Sequence, residues 1–179
     1  MNNVISTTTE FRDRTRVEIE NLVPWDVGVQ IRTISGERFN GANVPGSRYH
    51  FDGTFHKSIY RQLTLEEVIT QISLENPAFC GIDGKGSHAC FRICDFELYK
   101  AAFDLPDATE YPVQLTHEEI EKLLKITDVK KFKARLDELV VTESEKFQLA
   151  ISVANYQKID DLPIKIVNLI EAKTERKIQ

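Results

Sequence analysis

Three of the Thr-x-x-Glu tetrapeptides, those that precede apolar residues at helical spacing, mark where helices can begin in this chain: Thr64–Glu67, Thr116–Glu119 and Thr142–Glu145. In such a capping box the threonine hydroxyl accepts from the backbone N–H three residues on, and the glutamate reaches back to the threonine N–H. Apolar residues at helical spacing follow each box: Leu65, Val68, Ile69 and Ile72, then Ile120, Leu123 and Leu124, then Phe147, Ala150, Ile151 and Ala154. Asp128 is placed to cap a further helix carrying Val129, Phe132, Leu136, Leu139 and Val140. Asp161 is expected to cap the last one, with Pro163 in its first turn and Ile166, Val167 and Ile170 on its apolar face. Residues 116–179 therefore read as a helical domain, a bundle of about four short helices.

The N-terminal half follows a different period. Val17 and Ile19 alternate with Arg16, Glu18 and Glu20, the pattern of a half-buried strand. Pro24 interrupts it, since proline cannot donate to a ladder. Val27, Val29 and Ile31 then share one face of a second strand, and Ser35-Gly36-Glu37 is expected to turn the chain. Between Phe39 and Phe55 the pairs Asn40-Gly41, Pro45-Gly46 and Asp52-Gly53 are turn signals, with short strands expected near Val44 and Tyr49. Ile59 to Leu63 is a further extended piece, Asn76-Pro77 is expected to end the Thr64 helix, and Ala89–Cys94 and Asp95–Phe103 read as a strand and a short helix. The fold class is thus α+β: a polar arm at residues 1–14, a small irregular β-rich domain with one capped helix over 15–103, a Pro-rich acidic linker over 104–115, and the helical domain.

Charge narrows the function classes. The chain of 179 residues carries −5, and residues 58–115 account for all of it, with four basic against nine acidic side chains. That balance gives no electrostatic footprint for nucleic acid or an anionic membrane and makes the centre of the chain a poor phosphate site. Cys80, Cys90 and Cys94 are odd in number, and Met1-Asn2-Asn3 opens a polar leader with no apolar run, so neither a disulfide framework nor a secretory signal is expected. Cys90 and Cys94 stand four residues apart on one strand face, roughly 13 Å, too far to share a tetrahedral zinc. They read as small buried hydrophobes, and no metal or cofactor is expected.

The stretch Gly81-Ile-Asp-Gly-Lys-Gly-Ser-His88 is where chemistry would sit if there were any. A phosphate loop needs Gly-Lys-Ser/Thr opening a helix, whereas Lys85 precedes Gly86 and a strand. A dinucleotide fingerprint needs Gly-x-Gly-x-x-Gly between strand and helix, and here the spacing is reversed. Ser87 and His88 are adjacent, so on a strand they point to opposite faces and cannot pair as nucleophile and base. Gly81, Asp83, Gly84 and Gly86 read instead as a structural turn, with Ser87 and Asp83 satisfying loop backbone groups and His88 starting the strand. His50, His56 and His117 are scattered in sequence. Lys130, Lys131, Lys133 and Arg135 are balanced by Asp128, Asp137 and Glu138, as on a solvated helix face. Trp25, beside Pro24, fits either a core anchor or an interface contact. The strand edges near Pro24 and over residues 38–60 are open to augmentation by a partner chain.

The elements also carry a resemblance. Asn21-Leu-Val-Pro-Trp-Asp-Val-Gly28, Leu63-Thr-Leu-Glu-Glu-Val68, the Phe79–Ala89 loop leading to Asp95, Leu115-Thr-His-Glu-Glu-Ile120, the Phe132/Leu136 helix and Thr142-Glu-Ser-Glu-Lys146 follow in an order that resembles a group of small tailed-bacteriophage proteins, including those of crAss-like phages and phages of Firmicutes. The similarity spans about residues 15–175. It implies a non-enzymatic virion or virion-assembly protein, located in the particle and in the host cytoplasm during assembly. The partners it implies are capsid or assembly proteins, bound in many copies. The alternatives are an intracellular phage regulator or anti-defence protein that binds a host protein, and a small hydrolase or ligand-binding domain using Asp83, Ser87 and His88.

Overall fold

The computed structural model describes residues 15–31, 40–156 and 159–178. The arm at 1–14 and the turn at Ser35-Gly36-Glu37 lie outside them. The fold is α+β. Its strands are β1 (Ile19–Asn21), β2 (Val27–Ile31), β3 (Asn40–Val44), β4 (Arg48–Tyr49), β5 (Phe55–His56), β6 (Ser58–Tyr60) and β7 (Phe91–Ile93). Its helices are α1 (Leu65–Ser73), α2 (Pro77–Cys80), α3 (Phe96–Phe103), α4 (His117–Leu124), α5 (Val129–Leu139), α6 (Glu143–Ala154) and α7 (Ile164–Thr174).

Strand β1 lies between β6 and β7 in an antiparallel sheet, while β2 pairs with β3 and β4 with β5 as two-stranded ribbons. Val17, Ile19, Leu63, Val68, Phe79, Phe91 and Tyr99 fill one core. Leu123, Phe132, Leu136, Leu149 and Ile170 fill a second among α4 to α7. Helices this short do not hold alone in water; each fully buried Leu, Ile or Phe adds about 1.5–3 kcal/mol, and that burial holds them.

The alternation expected in the first strand stops short. Arg16 and Glu18 face solvent, but Glu20 is buried beside Lys57 and Glu118 of α4, and Asn21, on the opposite face, is buried among the Trp25 and Val44–Pro45 backbone. Asn21 becomes a knot: its Nδ2 lies 3.0–3.1 Å from the carbonyls of Trp25, Val44 and Pro45, and its Oδ1 accepts from Val23 N–H. The Thr64 helix ends at Ser73, before the expected Asn76-Pro77 stop. Asn76 instead caps α2, accepting from Ala78 N–H at 3.0 Å with Pro77 at the first helical position. Of the strand expected over Ala89–Cys94, Phe91–Ile93 form β7, and the pairing extends to both sides, with Leu22 N–H donating to the Cys90 carbonyl at 2.8 Å and Cys94 N–H to the Glu18 carbonyl at 2.9 Å.

Among the boxes, Thr64–Glu67 and Thr142–Glu145 are complete. Thr116 accepts from Glu119 N–H, but the Glu119 carboxylate turns to Lys122 and Arg135. Asp161 caps nothing: Ile159–Asp161 forms a 3-10 turn, and Pro163 takes the cap position of α7 without a side-chain bond. A proline carbonyl there still accepts the first bond, from Ile166 N–H at 2.8 Å.

Residues 104–115 are fastened along their length. Leu105 and Tyr111 pack on the first core and Val113 on the second. Tyr111 Oη donates to the Cys94 carbonyl at 2.8 Å, and buried Gln114 Nε2 reaches the Gly86 and Phe91 carbonyls. A polar seam joins the two cores: Gln148 Nε2 lies 2.7 Å from both the Leu22 and the Leu115 carbonyl.

Candidate functional site

Glycine-rich loop first. Gly81, Gly84 and Gly86 sit at φ +62°, +76° and +99°, a region an L side chain enters only with strain. Asp83 Oδ1 accepts from Lys85 and Ser87 N–H at 2.8 and 3.0 Å, and Ser87 Oγ donates to Asp83 Oδ2 at 2.6 Å. Burial works against ionisation of Asp83, but these hydrogen bonds outweigh it and lower its pKa. The Ser87 hydroxyl is therefore spent on the turn.

His88 does not start the strand. It sits in the loop at φ +59°, its N–H donating to the Val113 carbonyl at 2.7 Å. Its imidazole Nδ1 lies 2.7 Å from Glu145 Oε1, and both side chains are more than nine-tenths buried. Glu145 also accepts from Val141 and Thr142 N–H through Oε2, so one carboxylate caps α6 and holds the loop. Asp83 and Ser87 are thus brought together while His88 is turned to α6, and the hydrolytic trio is not assembled.

The cysteines stay apart in role. Cys80 is buried, with Sγ 3.6 Å from the Ile72 carbonyl. Burial raises the pKa of all three thiols, the environment of unreactive cysteine. Among the described residues no group of three or more His, Cys, Asp or Glu side chains could hold a metal ion.

A cleft of about 530 Å³ lies between the two units. Its charges are largely matched: Lys57 meets Glu118 at 2.5 Å, Lys122 meets Glu119 at 2.6 Å, and Arg135 bridges Glu119 and Glu138. Arg92 stacks over the Tyr111 ring, 4.2 Å from its centroid. The basic helix face of α5 is solvated in the same way, with Lys133 on Asp137.

Lys57 also reaches buried Glu20 at 3.4 Å, so one ammonium serves two carboxylates. Burial raises the Glu20 pKa against the pull of Lys57. For Glu118, burial is outweighed by the hydrogen bond and charge of Lys57, which hold it at about 2, down from 4.5. The two carboxylates are pushed apart as in an acid–base pair, but the cleft is lined by Glu118 and not by Glu20. They therefore do not face a common substrate.

A pH prediction follows from these shifts. The depressed Glu118 pKa stabilises the fold above pH 4.5, and this is lost as pH falls towards about 2. The raised Glu20 pKa acts oppositely, costing stability as pH rises past its ordinary value of 4.5. Lys57→Ala removes the cation from both, so its destabilisation is expected to be largest near neutral pH and to shrink below pH 4.5. Urea unfolding of both proteins across that range checks it; a pH-independent difference would refute the network.

The histidines are less scattered than their spacing implies. His50 and His56 lie with ring centroids 4.0 Å apart on the β4–β5 hairpin. His117, at the start of α4, stacks on Phe55 at 3.8 Å, and its Nδ1 is 3.1 Å from Tyr49 Oη. Phe51, at the hairpin tip, is completely exposed. Asp52-Gly53 marks the turn and the strand near Tyr49 is expected from the sequence, whereas the docking of the hairpin on α4 depends on a partner far along the chain.

Trp25 and Pro24 are half-buried. The Trp25 ring lies 5.4 Å from that of Phe147 on α6, and the Arg176 guanidinium covers Phe147 at 4.4 Å. A Cβ on Gly46 would come within 2.5 Å of the Pro24 and Trp25 backbone. Trp25 is neither a deep core residue nor a free surface ring: it packs across the seam.

No family model, curated protein or solved structure compared with this chain matches it. No helix among the described residues is long and apolar enough to cross a membrane.

Proposed function

We propose that this chain is a non-enzymatic binding protein of a tailed bacteriophage, a virion or virion-assembly component that acts by contact with capsid or other assembly proteins. The observation that carries the reading is the β4–β5 hairpin. Its base is fixed by Tyr49, Phe55 and His117, and its tip presents Phe51 wholly to solvent. An aromatic side chain on a pinned turn contributes contact area with little ordering cost on binding.

Two further features agree with this reading. Ser87 and His88 serve the turn and the seam, not each other. The outer edges of β7 and β2 are partly occupied, the Phe91 carbonyl by Gln114 and the Gln30 carbonyl by Gln71. The hairpin lies within residues 38–60, the stretch whose strand edges were expected to accept a partner chain.

Quantitative mass spectrometry of purified particles tests the proposal. The protein is expected in many copies per particle. A chain abundant in infected cells but missing from particles would sink the virion reading and favour an intracellular regulator.

A further inference from the structure

We propose that the cleft between the two units binds a small free zwitterion of the amino-acid class, its carboxylate on Arg92 and its ammonium on the acceptor oxygens of Gln114 and Glu118. The site does not depend on the β4–β5 hairpin.

Strand register brings the first pole into place. Glu20 of β1 faces Arg92 of β7 across the sheet, and Lys57 carries the same face on from Glu20 to Glu118 of α4. Arg92 does not settle on Glu20. Its guanidinium lies over the Tyr111 ring, 4.2 Å from the centroid. A guanidinium stacked by its face keeps its N–H donors at its edge, in the fork that matches a carboxylate. The other cations of the cleft, Lys57, Lys122 and Arg135, are each paired with a glutamate. Arg92 lines the same cleft and has no carboxylate partner among the described residues.

The opposite need stands beside it. Gln114 is 7% exposed, and its Nε2 is held by the Gly86 and Phe91 carbonyls. Those two bonds fix the amide, so its Oε1 is an acceptor, and that oxygen has no donor. Glu118 gives Oε1 to Lys57, while its Oε2 is likewise buried and unpartnered. Buried acceptors without a donor are few in folded proteins, and each one needs a physical account. Here both belong to residues lining one cleft, which points to a donor brought by a ligand.

Charge decides the class of ligand. The lining carries four cations and four carboxylates. A simple anion on Arg92 would meet Glu118, which stays ionised with its carboxyl held at about 2. A simple cation at Glu118 would meet Lys57 and Arg92. A molecule carrying both charges serves the stacked guanidinium and the orphaned acceptors together. The volume of about 530 Å³ lies within the small-ligand range, roughly 300–1,000 Å³. Pro112 and Val113 in its wall offer apolar surface to a short methylene chain.

Isothermal titration calorimetry of the full chain provides the test. The probes are glycine, β-alanine, γ-aminobutyrate and ε-aminocaproate, with caproate and hexylamine as single-charge controls. One length of zwitterion is expected to bind best, because the fold fixes both poles. It is expected to bind at least about tenfold more tightly than either control, the worth of one charge-assisted hydrogen bond. Arg92→Ala is expected to weaken that probe about tenfold or more and to leave hexylamine unchanged; Glu118→Gln is expected to weaken it while leaving caproate unchanged. Urea unfolding of both variants separates lost binding from lost fold, and the comparison of probes on the wild type stands whether or not a variant folds. No binding of any zwitterion at millimolar concentration, a control that binds as tightly as the best zwitterion, or a folded Arg92→Ala protein that binds as wild type does would each overturn the proposal.

Discussion

Glu145→Ala is expected to lower the unfolding free energy by about 3–5 kcal/mol, the sum of the hydrogen-bonding groups it leaves without an acceptor. The residue is 4% exposed and serves three donors: Val141 N–H, Thr142 N–H and His88. Alanine leaves two cap N–H groups and a buried imidazole without partners, and each orphan costs about 1–3 kcal/mol. Glu145→Gln keeps the shape and one acceptor oxygen, so its loss should be smaller, about 1–3 kcal/mol. A double-mutant cycle with His88→Ala should show coupling of about 0.5–3 kcal/mol, as for two residues of one hydrogen-bond network. Urea denaturation of the four proteins measures all of this. A Glu145→Ala loss under about 1 kcal/mol, or additive single variants, would mean that the loop and α6 are not held by this carboxylate.

The second large effect is expected at Gly81. A Cβ there would meet the Ser87 carbonyl oxygen at 1.8 Å and the Ser87 carbonyl carbon at 2.7 Å, in a backbone conformation at φ +62° and ψ −146°. Gly81→Ala must therefore open the turn and break the Ile82 N–H to Ser87 carbonyl bond. Strain of about 1–3 kcal/mol adds to that lost bond, about 1 kcal/mol, for an expected loss of about 3 kcal/mol or more. Gly84→Ala is the control: φ is +76°, but nothing lies within 4 Å of the added carbon. Only the left-handed penalty remains there, about 1–2 kcal/mol. Equal losses at the two glycines would show that the Ser87 carbonyl does not crowd Gly81.

Local signals were the legible part. Thr64, Asp128 and Thr142 cap the helices their spacing announces, since a cap is made by residues three apart. Asp83 and the glycines form a turn for the same reason. What escaped reading depends on distant partners. Glu119 leaves its box for Arg135, sixteen residues away. Glu20 is buried because Lys57 and the helical unit cover it. His88 looked like the first residue of a strand, but its partner is 57 residues further on. His117 and Phe55 stack though nothing in their spacing announces it. The candidate docking hairpin was half visible, as Asp52-Gly53 between Tyr49 and Phe55, but the exposure of Phe51 follows only from how the ribbon lies on α4.

The seam also sets the order of events during synthesis. Gln148 stands 126 residues after Leu22, whose carbonyl it satisfies, and Glu145 follows His88 by 57. Chains emerge from the ribosome at about 5–20 residues per second, so the N-terminal half waits several seconds with the Leu22 carbonyl and the His88 ring unmatched. Long loop closure adds little further entropy cost, about 0.6 kcal/mol per doubling, so the delay comes from delivery of the chain. The nascent α+β half thus displays, for a short time, the polar surface that α6 will cover, and it matures only when the third capping box has left the tunnel.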